Sequence, residues 1–314
     1  MVEKIDKLVL IDGHAILHRA YHAFPLTLTT RKGELVNAVY GFTRILLSVI
    51  AELKQEYLAV AFDTGKPNFR HQAFIGYQVQ RPHMDNQLKS QIARVIAVVT
   101  AMNIPIFSLE GYEADDVIGT LARQACKIKS QNLKVSGLET IIVTGDKDIL
   151  QLVNASTKVY MPGRGNEPAI LYDENKVKNF LGVLPAQIVN YKALVGDTSD
   201  NYPGVNGIGP RTAVKLLNTY QTLDNVYTRI SKIKPKLQQK LLEGKEAAYL
   251  SQKLAQIVTN TPVTLDLSAC RVSDYDREKV EILFEELEFK SLLGKLPGVH
   301  QENDKIKGEQ IQLF

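Results

Sequence analysis

Apolar positions along the chain fall into two periods. LVLID (8–12), LAVAFD (58–63) and TIIVTGD (140–146) are near-continuous runs of Val, Ile, Leu and Ala that each finish on an acid. Runs of this kind predict strands buried on both faces, the habit of parallel sheets. Between the first two lies NAVYGFTRILLSVIAELK, whose apolar positions recur at helical spacing. Strands are therefore expected at 7–13, 57–63, 104–109, 139–145 and 157–161, and helices at 37–54, 86–102 and 113–130. Strand and helix alternating over 1–165 predict an α/β unit, a mostly parallel sheet with helices on both faces. Residues 64–84 interrupt the pattern: Gly65, Pro67, Gly76 and Pro82 break regularity, while Arg70, His71, Arg81 and His83 add basic or titratable groups. A mobile crossing segment is expected there.

The pattern changes after the turn-rich PGRGNEP (162–168). From 173 to 293 the segments read as helices, ending in one amphipathic helix over 276–293, and 294–314 has no apolar period. Three parts follow: a core at 1–165, a helical region at 166–293 and a flexible tail.

Composition adds little to this. At 314 residues and 45% hydrophobic, the chain can bury a sizeable core. Cys126 and Cys270 lie outside any C-x-x-C spacing and read as free thiols of a reducing compartment. No run reaches the length of a membrane span and the N-terminus lacks a secretory pattern, so a soluble, cytoplasmic monomer is expected.

The acids carry more. Asp12, Asp63, Glu113, Asp115, Asp116, Asp146, Asp148, Asp197 and Asp200 fall at strand ends, helix entries or turns. In an open α/β sheet the ligand crevice lies beyond the carboxyl ends of the strands, so acids placed there converge. Each alone could be a helix cap. Together they would repel one another unless cations sit among them, and hard oxygen donors favour Mg²⁺ or Mn²⁺ over zinc. Setting these nine negative charges aside takes the net charge from +4 to +13, a basic exterior around an acidic hole, as a nucleic-acid backbone would require.

In LVGDTSDNYPGVNGIGPRTAVKLLNTY (194–220), Gly204, Gly207 and Gly209 allow a tight hairpin opening onto a helix at 211–220. Such a hairpin, with Ile208 and Thr212, presents backbone N–H groups to a phosphate, and Arg211 and Lys215 place two cations on one face. It reads as a sequence-independent clamp on duplex DNA.

LIDGHAILHRAYHAF, AFDTGKPNFRH, GYEADD, TGDKDILQLV and GDTSDNYPGVNGIGPRTA together resemble the 5′-nuclease (5′→3′ exonuclease) domain of bacterial DNA polymerase I and the flap endonuclease family, over about residues 5–293. The resemblance implies that the nine acids are the ligands of two metal ions. It implies that residues 196–220 are a helix–three-turn–helix duplex clamp that often holds K⁺, and that about 70–110 is the helical arch passing a 5′ single strand. It also implies structure-selective cleavage of DNA 5′ flaps, nicks and RNA primers in replication and repair, by two-metal phosphodiester hydrolysis. Arg19, Arg70, Tyr77 and Arg81 match residues near the reacting phosphate. One departure stands out. The family's Tyr-Lys-x-x-Arg-Pro is here Tyr77-Gln78-Val79-Gln80-Arg81-Pro82, so the lysine at the scissile phosphate is replaced by Gln78. A weakly catalytic flap-binding protein is therefore a second reading. A ribonuclease of the PIN class, the third, fits the acids but not the hairpin.

The tail ends in Gln310-Ile311-Gln312-Leu313-Phe314. Gln310, Leu313 and Phe314 resemble the Gln-x-x-Leu-Phe motif by which bacterial replication proteins dock on the sliding clamp. A stand-alone nuclease tethered to the clamp is the resulting expectation.

Overall fold

The computed structural model describes residues 5–131, 138–163, 167–272 and 274–297. The apolar runs become β1 (Asp6–Asp12), β2 (Tyr57–Ala61), β3 (Ile106–Phe107), β4 (Leu138–Val143) and β5 (Thr157–Met161), followed by β6 (Ile170–Tyr172). They form one sheet in the order β3-β2-β1-β4-β5-β6. All neighbours are parallel except β6, which runs antiparallel to β5 with Tyr160 opposite Leu171. β1 lies between β2 and β4, with Ile11 in register with both Val60 and Val143.

Alternate residues of each strand serve opposite faces. Leu8, Leu10, Ala59 and Ile142 pack on one side with Val117, Ile118 and Leu121 of helix Ala114–Gln131 and with the helical region beyond. Val9, Ile11, Val60 and Val143 pack on the other, against helices Gly13–Ala23 and Asn37–Leu53, Ile92–Ala101 and Arg277–Glu286. Burial on both faces is the reason the strands read as continuous apolar runs.

Three elements differ from expectation. Helix Gly13–Ala23 follows β1 without a turn, since Asp12 is both the last strand residue and the N-cap. The helix expected over 86–102 is two pieces, Asn86–Lys89 and Ile92–Ala101, with the buried Gln91 between them. Its Oε1 accepts from Ala38 N at 2.8 Å, serving the start of helix Asn37–Leu53 in place of a local cap, and its Nε2 donates to Asn37 Oδ1. The last helix is also split, into Arg277–Glu286 and Lys290–Leu293, where Glu288 adopts φ 60°.

One buried side chain joins the sheet to the helical region. Arg70, only 2% exposed, distributes its five N–H donors over five acceptors. Two meet Asp116 at 2.8 Å each, one meets Glu113 at 3.1 Å, and the others reach the Leu254 and Gln256 carbonyls at 3.0 and 2.8 Å. Asp116 in turn accepts from the backbone N–H groups of Glu113 and Val258. A buried pair satisfied this fully is costly to break from one side. Arg70→Met should lose about 3–5 kcal/mol of stability in urea unfolding. In a double-mutant cycle with Asp116→Leu, the combined loss should fall well short of the two single losses added together. A loss below about 1 kcal/mol for Arg70→Met would show the joint lies elsewhere.

Candidate active site

The strand order makes the crevice. From β1 the chain moves to β2 and β3 on one side and returns to β4 and β5 on the other. Connections therefore leave the carboxyl ends of β1 and β4 in opposite directions, opening a gap between them. Asp12 ends β1, Asp63 lies two residues past β2 and Asp146 three past β4. A cleft of about 620 Å³ opens there, lined by seven of the nine acids: Asp12, Asp63, Glu113, Asp115, Asp146, Asp148 and Asp200.

The first group of acids is held by the protein's own donors. Asp12 accepts from Ala15 N at 3.0 Å and from the Thr144 hydroxyl at 2.7 Å, and that hydroxyl accepts from Asp146 N. Asp63 accepts from Ala114 N at 2.7 Å, which ties the end of β2 to the start of helix Ala114–Gln131. Burial, together with Asp63 and Asp146 nearby, pushes the Asp12 carboxyl up to about 7. Asp115 is raised well above the carboxylate range by burial and by Asp146, Asp12, Glu113 and Asp63. Among the described residues, no lysine or arginine forms an ion pair with Asp12, Asp115 or Asp146. Carboxyl groups are therefore crowded here with no lysine or arginine paired to them among the described residues.

The second group is different. One carboxylate oxygen from each of Asp148, Asp197 and Asp200 lies within 4.8 Å of the others. Lys192 places its ammonium between two of them, in contact with Asp148 and 2.5 Å from Asp197. Asp200 is paired with Arg81 at 2.9 Å. Burial drags the Asp197 carboxyl upward, but Lys192 and Ser199 outweigh it and hold the group below its ordinary value. Asp148 is still pushed up to about 6, chiefly by burial.

The crossing segment reaches this cleft from above. Helix Phe69–Ala73 is capped by Asn68, whose amide nitrogen also donates to Glu113 at 2.8 Å. The Tyr77 hydroxyl donates to Glu113 at 3.2 Å, and Gln78, at φ 56°, donates to Asp200 at 3.2 Å and more weakly to Glu113 at 3.4 Å. The residue standing where the family lysine was expected thus bridges two acids with a neutral amide. Asn201 binds the Gly76 carbonyl at 2.8 Å, fastening the segment to the turn that carries Asp200.

Some sequence expectations need correction. Arg70, expected at a phosphate, has all its donors engaged internally. Asp116, expected as a cleft acid, is fully buried and its two oxygens take four hydrogen bonds. Arg19 turns to the Gly163 carbonyl and is not among the cleft residues. Tyr77 does line the cleft as expected, though only 4% exposed, with its hydroxyl on Glu113. Arg81, half exposed, keeps the cleft position expected of it. Lys192 and Thr144, bonded to the acids, Tyr202, paired with the Asp197 backbone, and Asn68, His14 and His18 in the cleft lining are neighbours of the acids that no motif singles out. Lys192 carried a faint signal, a lysine five residues before Asp197 at the end of a short helix.

The hairpin lies between helices Ile188–Val195 and Pro210–Tyr220. Gly204 has φ 63°, and a Cβ there would come within 2.3 Å of Gly196 N, so two backbone segments touch where no side chain fits. Gly207 also takes positive φ, Ile208 is buried, and Gly209 is the N-cap of the second helix without a side-chain cap. Arg211 and Lys215 are exposed on the first turns and Thr212 lies between them, half-buried. Lys240 donates to the Gly207 carbonyl at 3.1 Å. Gln310, Leu313 and Phe314 lie outside the described residues.

Comparison with known proteins shows the family. Residues 7–182 match the family described as 5′-3′ exonuclease, N-terminal resolvase-like domain, and residues 183–278 match its C-terminal SAM fold. The chain belongs to the 5′-3′ exonuclease family. It is 45% identical over 301 residues to DNA polymerase I of Chloroflexus aurantiacus, covering 94% of this chain and 31% of that protein. It is 38% identical over 307 residues to DNA polymerase I of Bacillus subtilis, covering 98% and 33%. The chain thus spans about a third of the length of these relatives. Among solved structures it is similar in fold to the T5 D15 protein co-crystallized with metal ions, with a TM-score of 0.61 at 17% identity, covering 90% of this chain and 98% of the other. It is also similar to the catalytic core of Rad2 in complex with DNA substrate, with a TM-score of 0.60 at 17% identity and 93% of each chain covered. No helix among the described residues is long and apolar enough to cross a membrane.

The crowded carboxyls carry a consequence for stability. Asp12, Asp115 and Asp148 hold protons more tightly folded than unfolded, so without cations their contribution is present at low pH and lost as pH rises. The melting temperature of chelator-treated protein should fall as pH climbs from about 4 through about 7, and Mn²⁺ should remove most of that fall. A flat profile, or one unaltered by Mn²⁺, would contradict the crowding.

Proposed function

We propose that the chain is a structure-selective 5′→3′ exonuclease and flap endonuclease that hydrolyses phosphodiester bonds at DNA 5′ flaps, nicks and RNA primers, using two Mg²⁺ ions for which Mn²⁺ can substitute. The observation that carries this reading is the pair of acid groups side by side at one cleft, with no lysine or arginine among the described residues paired to Asp12, Asp115 or Asp146 of the first. The donor set fits: every candidate ligand is a hard carboxylate oxygen, and Asp12, Asp63, Asp146 and Asp197 are pre-positioned by hydrogen bonds from the backbone, Thr144 or Ser199. Asp12, Asp115 and Asp146 would hold one cation and Asp148, Asp197 and Asp200 the other, with Asp63 and Glu113 acting through water. Bound there, the cations would supply an activated water and charge neutralisation for an in-line displacement, so no protein nucleophile is needed.

The chain's own residues do the rest. Tyr77 and Asn68 fix the Glu113 carboxylate. Arg81, at the mouth, is the guanidinium free to move from Asp200 to a phosphate oxygen. Arg70 and Asp116 set the position of helix Ala114–Gln131 and hence of Asp115. The hairpin at Gly204, Gly207, Ile208 and Gly209, with Arg211, Thr212 and Lys215, would grip the duplex backbone without reading bases. A K⁺ ion bound at the hairpin would share the Gly207 carbonyl with Lys240 of helix Pro235–Glu243, which already donates to it. Docking of Gln310, Leu313 and Phe314 on a bacterial sliding clamp belongs to the same proposal.

Gln78 supports a second reading, a flap-binding protein of low turnover, because its amide adds no charge at the phosphate. Losing such a donor costs roughly 10²–10³ in rate. A labelled 5′-flap substrate separates the two: cleavage is expected in Mg²⁺ and binding alone in Ca²⁺. Asp146→Ala should lower cleavage at least about 10³-fold while flap binding holds or tightens, since an acid facing phosphate is gone. Tight binding without turnover in Mg²⁺ would favour the second reading, and Asp146→Ala within about tenfold of wild type would overturn the ligand assignment.

A further inference from the structure

The two acid groups are not equivalent, and the difference lies in one lysine. Near Asp12, Asp115 and Asp146 no lysine or arginine is paired among the described residues, whereas the Lys192 ammonium already sits between Asp148 and Asp197, two of the three acids that could hold a divalent ion. Lys192 belongs to the last turns of helix Ile188–Val195 and is mostly buried, so it is built into the site rather than passing over it. Beside the same triad lies a second unusual group. Tyr202 exchanges two backbone hydrogen bonds with Asp197, at 2.9 and 3.0 Å, and its residue is 3% exposed. Its hydroxyl has no hydrogen-bond partner, and the charges it feels are Lys192, Asp148, Asp197 and Asp200. Buried hydroxyls without partners are rare and costly, and a hydrated ion in the triad would place water where this one can bond.

We propose that Lys192 is a place-holder cation for the Asp148, Asp197 and Asp200 site, displaced when a divalent ion enters, and that the Tyr202 hydroxyl is the outer partner of that ion's water. This rests on the reading of the cleft as a divalent-cation site. It makes the two sites unequal: the first fills readily, and the second fills only against the ammonium. Between fillings the lysine keeps three crowded acids compatible with a folded turn. Lys192 and Tyr202 are positioning residues on this account.

The test is Mn²⁺ binding to the whole chain without DNA, by calorimetry and by electron paramagnetic resonance, in wild type, Lys192→Gln and Tyr202→Phe. Wild type should bind one Mn²⁺ strongly and a second more weakly. Lys192→Gln should tighten the second by about tenfold or more, since one competing unit charge is removed at contact distance. Tyr202→Phe should weaken it by about tenfold while leaving the first alone. Wild type offers an independent check should Lys192→Gln fail to fold. Acetylation of Lys192, followed by mass spectrometry, should rise several-fold on saturating with Mn²⁺ as the ammonium is released, with lysines distant from the cleft unchanged. Two Mn²⁺ bound with affinities that Lys192→Gln leaves unaltered or weakens, or Lys192 acetylation indifferent to Mn²⁺, would overturn the place-holder while leaving the cation site standing. No Mn²⁺ bound by any form would remove the cation site and the place-holder together.

Discussion

Mutual repulsion of carboxylates is the constraint around which this molecule is arranged. The switch point of the sheet collects acids from the ends of β1, β2 and β4, and helix Ala114–Gln131 and the Asp197–Asp200 turn add more. The protein meets part of that cost itself, through backbone donors, Thr144, Lys192 and Arg81, and on the proposed reading external cations would meet the remainder. A cleft neutralised wholly from within would bind no metal. One left wholly unpaired would threaten the fold.

Rigid attachments keep the acids in register while the crossing segment and the hairpin do different work around them. Arg70 locks helix Ala114–Gln131 to the 254–258 stretch, so the orientation of Asp115 follows from an almost fully buried joint at the cleft wall. Tyr77 and Gln78 bring the crossing segment down on Glu113 and Asp200. The hairpin hangs from the same turn as Asp197 and Asp200 through the close contact of Gly196 and Gly204. A duplex gripped at Gly209 would thus be fixed relative to the acids.

Much of this was legible in the sequence, for a simple reason. Strands buried on both faces must be continuous apolar runs, and an acid ending such a run lies at the crevice, so Asp12, Asp63 and Asp146 announce themselves. What could not be read is the phase of side chains around a helix. Asp115 and Asp116 are neighbours in sequence but lie about 100° apart on the helix, and packing of Val117, Ile118 and Leu121 decides that one faces the cleft and the other Arg70. Lys192 was hidden likewise, because its role depends on where a short helix ends relative to Asp148, a residue far away in the chain. Gln91 lies at a break in a helix that periodicity makes continuous, and its amide is bonded at the start of another, a contact the local pattern does not contain.

The most direct measurement is the anomalous scattering of crystals soaked in Mn²⁺. The account expects two peaks in the one cleft, one among Asp12, Asp115 and Asp146 at low Mn²⁺ and a second among Asp148, Asp197 and Asp200 only at higher concentration. Peaks confined to surface acids, or a triad that fills first, would contradict it.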